Sequence, residues 1–276
     1  MQNAAAKVPV KDFLIGEGEP LAVMCGPCVI ESEDHCLKAA ETLKKIFSKR
    51  KINFIFKSSY DKANRSSIHS YRGVGLDEGL RILQRVQKEF DLPVVSDVHN
   101  PEEARSAGEV LEIVQIPAFL CRQTDMLLAA GGTGKVVNVK KGQFMAPWEM
   151  GNVVEKIRST GNNKVIVVDR GTMFGYNALI NDFRGIPIMQ KFGVPVCFDA
   201  THSVQRPGGK GDSSGGEREF IPYLSKAAVA VGVNCLFIEA HPDPKNAKSD
   251  ADSMLDFKDL PLLLEQLERL YACVHV

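Results

Sequence analysis

Residues 21–32, LAVMCGPCVIES, contain one strand–helix unit of a pattern that the rest of the chain repeats. The apolar run LAVMC predicts a short buried strand, and Ser32 followed by two acidic residues predicts the capped start of a helix. Between them lies Cys25-Gly26-Pro27-Cys28, which has the spacing of a thioredoxin-type redox site. Two interpretations of these cysteines are therefore possible: Cys25 and Cys28 form a redox-active disulfide, or one of them has a separate chemical role.

Short apolar runs recur along the whole chain at intervals that fit strand–helix units. Eight of them stand out: LAVMC (from Leu21), INFIFK (Ile52), LPVVSD (Leu92), LEIVQI (Leu111), KVVNVK (Lys135), KVIVVD (Lys164), VPVCFD (Val194) and CLFIEA (Cys235). Because these runs are continuously apolar rather than alternating, they fit parallel strands that are buried on both faces and joined by crossover helices. Helices are indicated from Ser32, Leu76 and Asp256, and less clearly from Glu102, Gln123, Trp148, Asp182 and Glu217.

Eight strand–helix units in about 250 residues predict an α/β fold of the (β/α)8 TIM-barrel type rather than a doubly wound sheet. No linker or low-complexity segment suggests a boundary, so residues 1–276 are expected to form one domain. Residues 1–20 are an N-terminal extension, in which VPVKDFLIGEG predicts a short β-hairpin that closes the bottom of the barrel.

Charge and cysteine content narrow the classes of partner and compartment. The 34 basic and 34 acidic residues cancel, which argues against nucleic acid or an anionic membrane as a partner and favours small molecules. The sequence contains neither a secretion signal nor 18 consecutive apolar residues, and its seven cysteines are an odd number in a chain too long to need disulfides. We therefore expect a soluble, cytoplasmic protein with reduced thiols.

The predicted strands end near side chains that are polar or able to bind metal. In chain order these are Cys28, Lys57, Asp97, Gln115, Lys140, Arg170, His202 and Glu239. Barrel enzymes place their chemistry at the carboxyl ends of the strands, so the eight side chains are expected to meet at one mouth. There Lys57, Lys62, Lys140 and Arg170 are expected to converge with few carboxylates nearby, which predicts a small polyanion as ligand.

In a thioredoxin-type site the first cysteine begins a helix, whereas Cys25 lies within the apolar strand run and the helix begins only near Ser32. This leaves Cys28 at the strand end, facing the mouth. Together with His202, Glu239 and Asp250 it forms a thiolate, imidazole and carboxylate set. Such a set suits a divalent ion such as Zn(II), Fe(II), Mn(II) or Co(II). Spacing alone also allows His202 to be a hydrogen-bonded residue at a strand end and Asp250 to be a solvated loop residue.

Several long motifs identify a family resemblance. They are KSSYDKANRSSIHSYRG (57–73), SDVH (96–99), QIPAFLCRQTD (115–125), NVKKGQ (138–143), DRG (169–171), FGY (174–176), DATH (199–202) and EAHP (239–242). Over nearly its whole length the chain closely resembles the 3-deoxy-D-manno-octulosonate 8-phosphate synthase family. The resemblance implies condensation of phosphoenolpyruvate with arabinose 5-phosphate, with release of phosphate, on the route to the inner-core sugar of bacterial lipopolysaccharide.

The resemblance also implies roles for individual residues. Phosphoenolpyruvate would be held by Lys57, Lys62, Lys140, Arg170, Gln115 and the backbone of Ala118 and Phe119, and the sugar phosphate by Asn64, Arg65 and Ser66. Asp97 would orient the sugar or the ligands, and Arg122 would reach across from a neighbouring subunit of a homotetramer. His202 is counted among both the catalytic residues and the metal ligands.

The family divides into branches that use a metal and branches that do not, distinguished by Cys or Asn at the position of Cys28. Cysteine here, together with His202, Glu239, Asp250 and the glycine-rich 207–216 region, resembles the metal-dependent branch. Cys28 is then expected to be a ligand of a divalent ion and Cys25 a buried neighbour. The role of the ion, on the aldehyde or on the attacking water, stays open.

Two alternatives remain at this stage. A related synthase that uses erythrose 4-phosphate would share the barrel, the cationic mouth and the metal set, although Ala63-Asn-Arg-Ser-Ser67 argues against it. A thiol-disulfide oxidoreductase or a zinc-stabilised binding module would keep the two cysteines but have no use for Lys57, Lys140 and Arg170.

Finally, residues 205–217, QRPGGKGDSSGGE, contain five glycines and are hypothesised to form a lid over the mouth.

Overall fold

The computed structural model describes residues 7–209 and 215–274. The strands are β1 (Val8–Val10), β2 (Phe13–Ile15), β3 (Ala22–Gly26), β4 (Asn53–Lys57), β5 (Val94–Asp97), β6 (Ile113–Ile116), β7 (Val136–Lys140), β8 (Val165–Asp169), β9 (Thr172–Met173), β10 (Leu179–Ile180), β11 (Val196–Asp199), β12 (Gln205–Arg206), β13 (Gly215–Gly216), β14 (Cys235–His241) and β15 (Leu255–Asp256). The helices are α1 (Glu33–Phe47), α2 (Leu76–Phe90), α3 (Pro101–Val110), α4 (Thr124–Gly132), α5 (Met150–Arg158), α6 (Gly185–Gln190), α7 (Ile221–Ala230) and α8 (Leu260–Val274).

A closed parallel barrel forms the centre of the fold. Its eight strands follow the order β3, β4, β5, β6, β7, β8, β11 and β14, and pairing of β14 with β3 closes the ring. Each barrel strand contains residues of one of the predicted apolar runs, and each is followed by one of the helices α1–α8. The predicted (β/α)8 fold is confirmed.

Both faces of the barrel strands are buried, which explains why their sequences do not alternate. In β3, Ala22 and Met24 pack inside the barrel, whereas Val23 and Cys25 pack into the layer between strands and helices. Successive side chains of a strand point to opposite faces, so Cys25 is directed away from the interior. Cys25 and Cys28 are both free thiols. Cys25 packs toward the helices whereas Cys28 contacts Ser249 and Asp250, and these different surroundings disfavour the oxidoreductase alternative.

The predicted N-terminal hairpin is also present. Strands β1 and β2 pair antiparallel, with Val8 opposite Ile15. Val8, Val10 and Ile15 join the apolar cluster inside the barrel together with Ile113 and Val136, the first residues of β6 and β7. The hairpin therefore covers the end of the barrel where the strands begin, opposite the predicted site.

Local sequence signals place the helices well and their ends less well. Helix α1 begins as predicted, with Ser32 Oγ accepting a hydrogen bond from the His35 N–H at 3.2 Å. The last helix begins at Leu260 rather than at Asp256, because residues 255–256 pair with the end of β14 as β15. The five less clear helices all exist and begin within four residues of their predicted starts. Among the described helices, none combines the length and apolar character needed to cross a bilayer.

The hypothesised lid, residues 205–217, falls partly outside the described residues, which omit 210–214. The two ends of the segment pair with each other, since β12 and β13 form a short antiparallel ladder. This pairing was not predicted, because glycine-rich sequence carries no strand signal. Lid closure itself stays a hypothesis.

The hairpin offers a matched test of the buried end of the barrel. Ile15 is fully buried and the adjacent Leu14 is 37% exposed. We expect Ile15→Ala to lower the free energy of unfolding by about 2–5 kcal/mol, because it leaves a cavity. Leu14→Ala should change it by about 0.5 kcal/mol. Denaturant unfolding of both variants measures the difference, and equal losses would contradict the packing described here.

Candidate active site

A cavity of about 600 Å³ lies at the carboxyl ends of the barrel strands. Twelve of the residues predicted for the site line it: Lys62, Asn64, Arg65, Ser66, Asp97, Gln115, Ala118, Phe119, Lys140, Arg170, His202 and Asp250. Cys28, Lys57 and Glu239 are buried behind this lining. Arg122 is exposed elsewhere on the surface, where its carbonyl accepts a hydrogen bond from Lys156. The structure therefore brings together every predicted residue except Arg122.

Lys57 and Glu239 form a fully buried ion pair behind the cavity. The Lys57 ammonium lies 2.6 Å from Glu239 Oε1 and also donates to Cys28 O and Ser59 Oγ, each at 3.0 Å. All three of its donor positions are thus used. Lys57 has no free proton to offer a ligand, and in this arrangement it fixes Glu239 and the backbone at Cys28.

The second oxygen of Glu239 has no such partner. Oε2 is buried and, among the described residues, accepts no hydrogen bond. His202 Nε2 lies 3.8 Å from it and 3.8 Å from Asp250 Oδ2. Donor atoms of Cys28, Glu239 and Asp250 lie within 4.8 Å of one another. Cys28, Glu239 and Asp250 thus form a group of potential ligands, and His202 Nε2 faces its two carboxylates.

Asp199 decides which nitrogen of His202 faces that group. His202 Nδ1 lies 2.7 Å from Asp199 Oδ2, and the backbone N–H of His202 donates to Asp199 Oδ1 at 2.9 Å. Since Nδ1 also lies 3.4 Å from Lys140 Nζ, it is Nε2 that is directed at Glu239 and Asp250. In the tautomer that carries its proton on Nδ1, Nε2 offers a lone pair to a cation lying between it and the two carboxylates.

The Cys28 thiol belongs to the same group. Its Sγ lies 2.8 Å from Ser249 Oγ and 3.3 Å from Asp250 Oδ2. Burial raises the pKa of Cys28 well above its ordinary value, and the charges of Asp250 and Glu239 raise it further, against Lys62 and Lys57. Without a cation the sulfur therefore stays a thiol, and a bound metal ion would have to displace its proton.

Lys140 is held at the mouth by two different interactions. Its ammonium lies 2.7 Å from Asp199 Oδ2 and 3.8 Å from the centre of the Phe237 ring. Burial opposes charge on Asp199, but His202 and Lys140 outweigh it and hold the pKa of Asp199 well below its ordinary value. Asp199 was not among the predicted site residues, although it ends the run VPVCFD at the level of the other strand ends.

Asp97 is positioned by neighbours on two strands. It accepts hydrogen bonds from Ser59 Oγ at 3.0 Å and Gln115 Nε2 at 2.7 Å. Lys62 Nζ lies 3.8 Å from Asp97 and 3.7 Å from Glu239. Burial of Asp97 disfavours its charged form, but Lys62, Lys57 and Lys140 hold the pKa of Asp97 well below its ordinary value.

These pairings correct one expectation from the sequence. The cations were predicted to meet few carboxylates, but Lys57 pairs with Glu239 and Lys140 with Asp199. Arg170 differs from them. It is buried, Nη2 donates to Gln205 Oε1 at 3.1 Å, and Nη1 is buried without a hydrogen-bond partner among the described residues. Burial lowers the pKa of Arg170, yet a guanidinium stays charged at neutral pH. Arg170 therefore has donors left for an anion.

The segment 64–66 is tied to the loop that carries Asp250. Arg65 donates to Ser249 Oγ, and its guanidinium lies 3.6 Å from Asp250 Oδ1. Ser249 thus contacts both Arg65 and Cys28. Sequence reasoning missed Ser249, since a serine in a loop carries no periodic signal.

A second cluster, Glu31, His35 and His241, also brings ligand-type atoms together. His241 Nδ1 accepts the backbone N–H of Asp243 at 3.0 Å, so the neutral ring carries its proton on Nε2, which lies 3.2 Å from Glu31 Oε1. Nε2 of His241 is nevertheless buried without a hydrogen-bond partner among the described residues, as are both ring nitrogens of His35.

The depressed pKa of Asp97 predicts a pH dependence of stability. The unfolded chain binds the proton first as pH falls, so the contribution of Asp97 is fully present above about pH 5 and is lost toward the lower folded-state pKa. We expect the free energy of unfolding of Asp97→Asn to fall less steeply between about pH 5 and pH 3 than that of the unchanged protein. Urea unfolding across this range measures the slope. Asp12→Asn, in the exposed turn between β1 and β2, is the control, and identical slopes for all three proteins would contradict the expectation.

Comparison with known proteins places the whole chain in one family. The model of the DAHP synthetase I family matches residues 3–274. A 2-dehydro-3-deoxyphosphooctonate aldolase of Protochlamydia amoebophila (strain UWE25) is 67% identical over 268 residues, 97% of this chain and 98% of that protein. A protein of the same name from Cyanothece sp. (strain PCC 7425 / ATCC 29141) is 55% identical, and the match covers 93% of this chain and 94% of that protein. Another from Geobacter sulfurreducens (strain ATCC 51573 / DSM 12127 / PCA) is 53% identical, and the match covers 97% of this chain and 98% of that protein. This chain therefore belongs to the DAHP synthetase I family, in its group of 2-dehydro-3-deoxyphosphooctonate aldolases.

Proposed function

We propose that this chain condenses phosphoenolpyruvate with arabinose 5-phosphate and water, giving 3-deoxy-D-manno-octulosonate 8-phosphate and inorganic phosphate. The observation that carries the proposal is the mouth itself. Arg170, Lys140 and Lys62 line one cavity, and Arg170 retains a buried donor without a partner. Such an arrangement suits a small anion, which supports an enzyme that acts on phosphorylated substrates.

The reaction joins two anions, which repel each other in water. Carbon 3 of the enol attacks the aldehyde carbon of the sugar, and the aldehyde oxygen takes up a proton to become a hydroxyl group. Water adds at carbon 2 of the former enol, and the resulting hemiketal phosphate breaks its carbon–oxygen bond to expel phosphate. Cations fixed at the mouth offset the repulsion and align the reacting carbons, a positioning effect worth several kcal/mol.

Each side of the cavity then has a role. Arg170, Lys140 and Lys62 bind the phosphate and carboxylate of phosphoenolpyruvate, against a wall of Gln115, Ala118 and Phe119. Asp97, fixed by Ser59 and Gln115, orients the sugar hydroxyls as an acceptor. Lys57 acts through Glu239, which it holds at 2.6 Å. Asn64, Arg65 and Ser66 bind the sugar phosphate.

Cys28, His202, Glu239 and Asp250 would hold a divalent metal ion, one of Zn(II), Fe(II), Mn(II) or Co(II). The fit rests on the unpartnered Oε2 of Glu239 and on the Nε2 of His202, which faces two carboxylates. An ion bound there supplies a Lewis acid beside the sugar aldehyde or the attacking water. Asp199, 2.7 Å from Nδ1 of His202, positions the ring with Nε2 directed inward.

We further propose a homotetramer in which Arg122 of one subunit completes the sugar-phosphate site of another. The β9–β10 hairpin supports an interface, because Met173, Phe174 and Tyr176 are largely exposed on it.

The product of the proposed reaction then serves the synthesis of the lipopolysaccharide inner core. Seven free thiols support a reducing, cytoplasmic location.

A second candidate is the related synthase that uses erythrose 4-phosphate, which the DAHP synthetase name of the matching family favours. Phosphate release from phosphoenolpyruvate separates the two. We expect release with arabinose 5-phosphate at a kcat/KM at least about 100-fold above that with erythrose 4-phosphate, because a site built around one sugar leaves polar groups unpaired with a shorter one. Activity with the four-carbon sugar alone would overturn the assignment.

The metal proposal has its own test at Cys28. Purified protein is expected to contain about one divalent ion per chain by elemental analysis, and Cys28→Ala should lose most of it because the soft ligand is gone. Cys28→Asn is expected to retain more activity than Cys28→Ala, since an amide can hydrogen-bond to Asp250. Cys25→Ala is the control and should keep the ion. Full activity after verified removal of the ion would exclude the metal from the reaction.

A further inference from the structure

Lys141 follows Lys140 directly, but its side chain does not line the cavity. It is fully buried just beyond the end of β7, on the side of the chain opposite Lys140. Burial of an ammonium group costs several kcal/mol unless it is paired and hydrogen-bonded, so its surroundings must hold it. No step of the proposed reaction uses it.

The partners of Lys141 lie immediately on either side of Arg170. Its Nζ lies 3.5 Å from Asp169 Oδ1 and donates to the carbonyl of Gly171 at 3.4 Å. It also donates to Thr172 Oγ1 at 3.1 Å and to the carbonyl of Met145 at 3.4 Å. One buried charge thus joins the residue before Arg170, the two residues after it and the loop that follows β7.

The backbone at this place is a sharp turn that needs such support. Gly171 has φ of +87°, and its N–H donates to Asp169 Oδ1 at 3.1 Å. Lys141 therefore contacts Asp169 Oδ1, the oxygen that accepts the Gly171 N–H, and also donates to the carbonyl of Gly171 itself. The turn sets the direction in which Arg170 leaves the backbone.

Arg170 has little else to fix it. In the described residues its side chain makes one hydrogen bond, to Gln205, and Nη1 is left without a partner. An anion-binding side chain that is not anchored by a carboxylate depends on its backbone for position. We infer that Lys141 is a positioning residue for phosphoenolpyruvate, acting through Arg170. The inference rests on the proposed function, in which Arg170 binds that substrate.

A double-mutant cycle on the metal-loaded enzyme tests this. Lys141→Met keeps the length of the side chain and removes the charge. We expect it to weaken phosphoenolpyruvate binding, measured by titration calorimetry, by at least about tenfold, the scale of a lost charge-assisted hydrogen bond. The KM for arabinose 5-phosphate should change less than about twofold, because the 64–66 segment is untouched. Lys38→Met, at an exposed position of α1, is the control for loss of a lysine and should bind as the unchanged protein does.

The second half of the cycle separates positioning from general stability. In an Arg170→Ala background, adding Lys141→Met should change phosphoenolpyruvate affinity by less than about twofold, because the residue it acts through is gone. Equal losses in both backgrounds, or a lowered kcat with unchanged substrate affinity, would overturn the inference. If Lys141→Met does not fold, Lys141→Gln enters the same cycle, and failure of both to fold would assign Lys141 a structural role alone. Should Arg170→Ala itself bind phosphoenolpyruvate normally, the proposed site fails rather than this inference only.

Discussion

The pairing of buried cations with carboxylates across the barrel mouth is the constraint on which the site depends. A lysine moved out of water loses several kcal/mol of solvation, and only a close counter-charge with good hydrogen bonds restores it. Lys57 reaches Glu239 at 2.6 Å across 182 positions of sequence. That contact exists only when β14 pairs with β3, so the closure of the barrel and the construction of the site are one event.

This pairing also explains how one mouth can hold both an anion and a divalent cation. Lys57 neutralises one oxygen of Glu239 and leaves the other directed at His202. Lys140 and His202 both contact Asp199, which orients the His202 ring and leaves its Nε2 directed at Glu239 and Asp250. Of the four mouth cations Lys57, Lys62, Lys140 and Arg170, only Arg170 has no carboxylate within ion-pair distance among the described residues. The mouth thus contains both a group of potential metal ligands and a guanidinium with a free donor for an anion.

The sequence predicted the architecture well because the relevant signals are local. Continuous apolar runs indicate strands that are buried on both faces. The residues that follow each run lie at the mouth of the barrel even when the exact end of the strand is not predicted. Strand parity alone separates Cys25 from Cys28, since β3 directs Cys25 toward the helices. The N-terminal hairpin was predicted from the eleven-residue stretch VPVKDFLIGEG.

The partners of the charged residues could not be predicted in the same way. Asp199, Ser249 and Lys141 acquire their roles from contacts with other loops and strands, and nothing adjacent to them in the chain signals these contacts. The expectation of an uncompensated cationic mouth was wrong for this reason. It counted charges near each strand end along the sequence, whereas the carboxylates come from strands that are neighbours only in the closed barrel.

A mouth built from paired charges is well suited to a reaction between two anions. Free lysines would have to lose water and change rotamer when the substrates arrive, and both changes raise the barrier. Lys57, Lys140 and Asp97 are already dehydrated and fixed, so their charges and dipoles need little reorganisation. The free-energy cost of orienting these three side chains is offset during folding by the buried contacts that close the barrel. Arg170 is the exception that makes binding possible, because an anion can gain its unpartnered donor without breaking an existing ion pair.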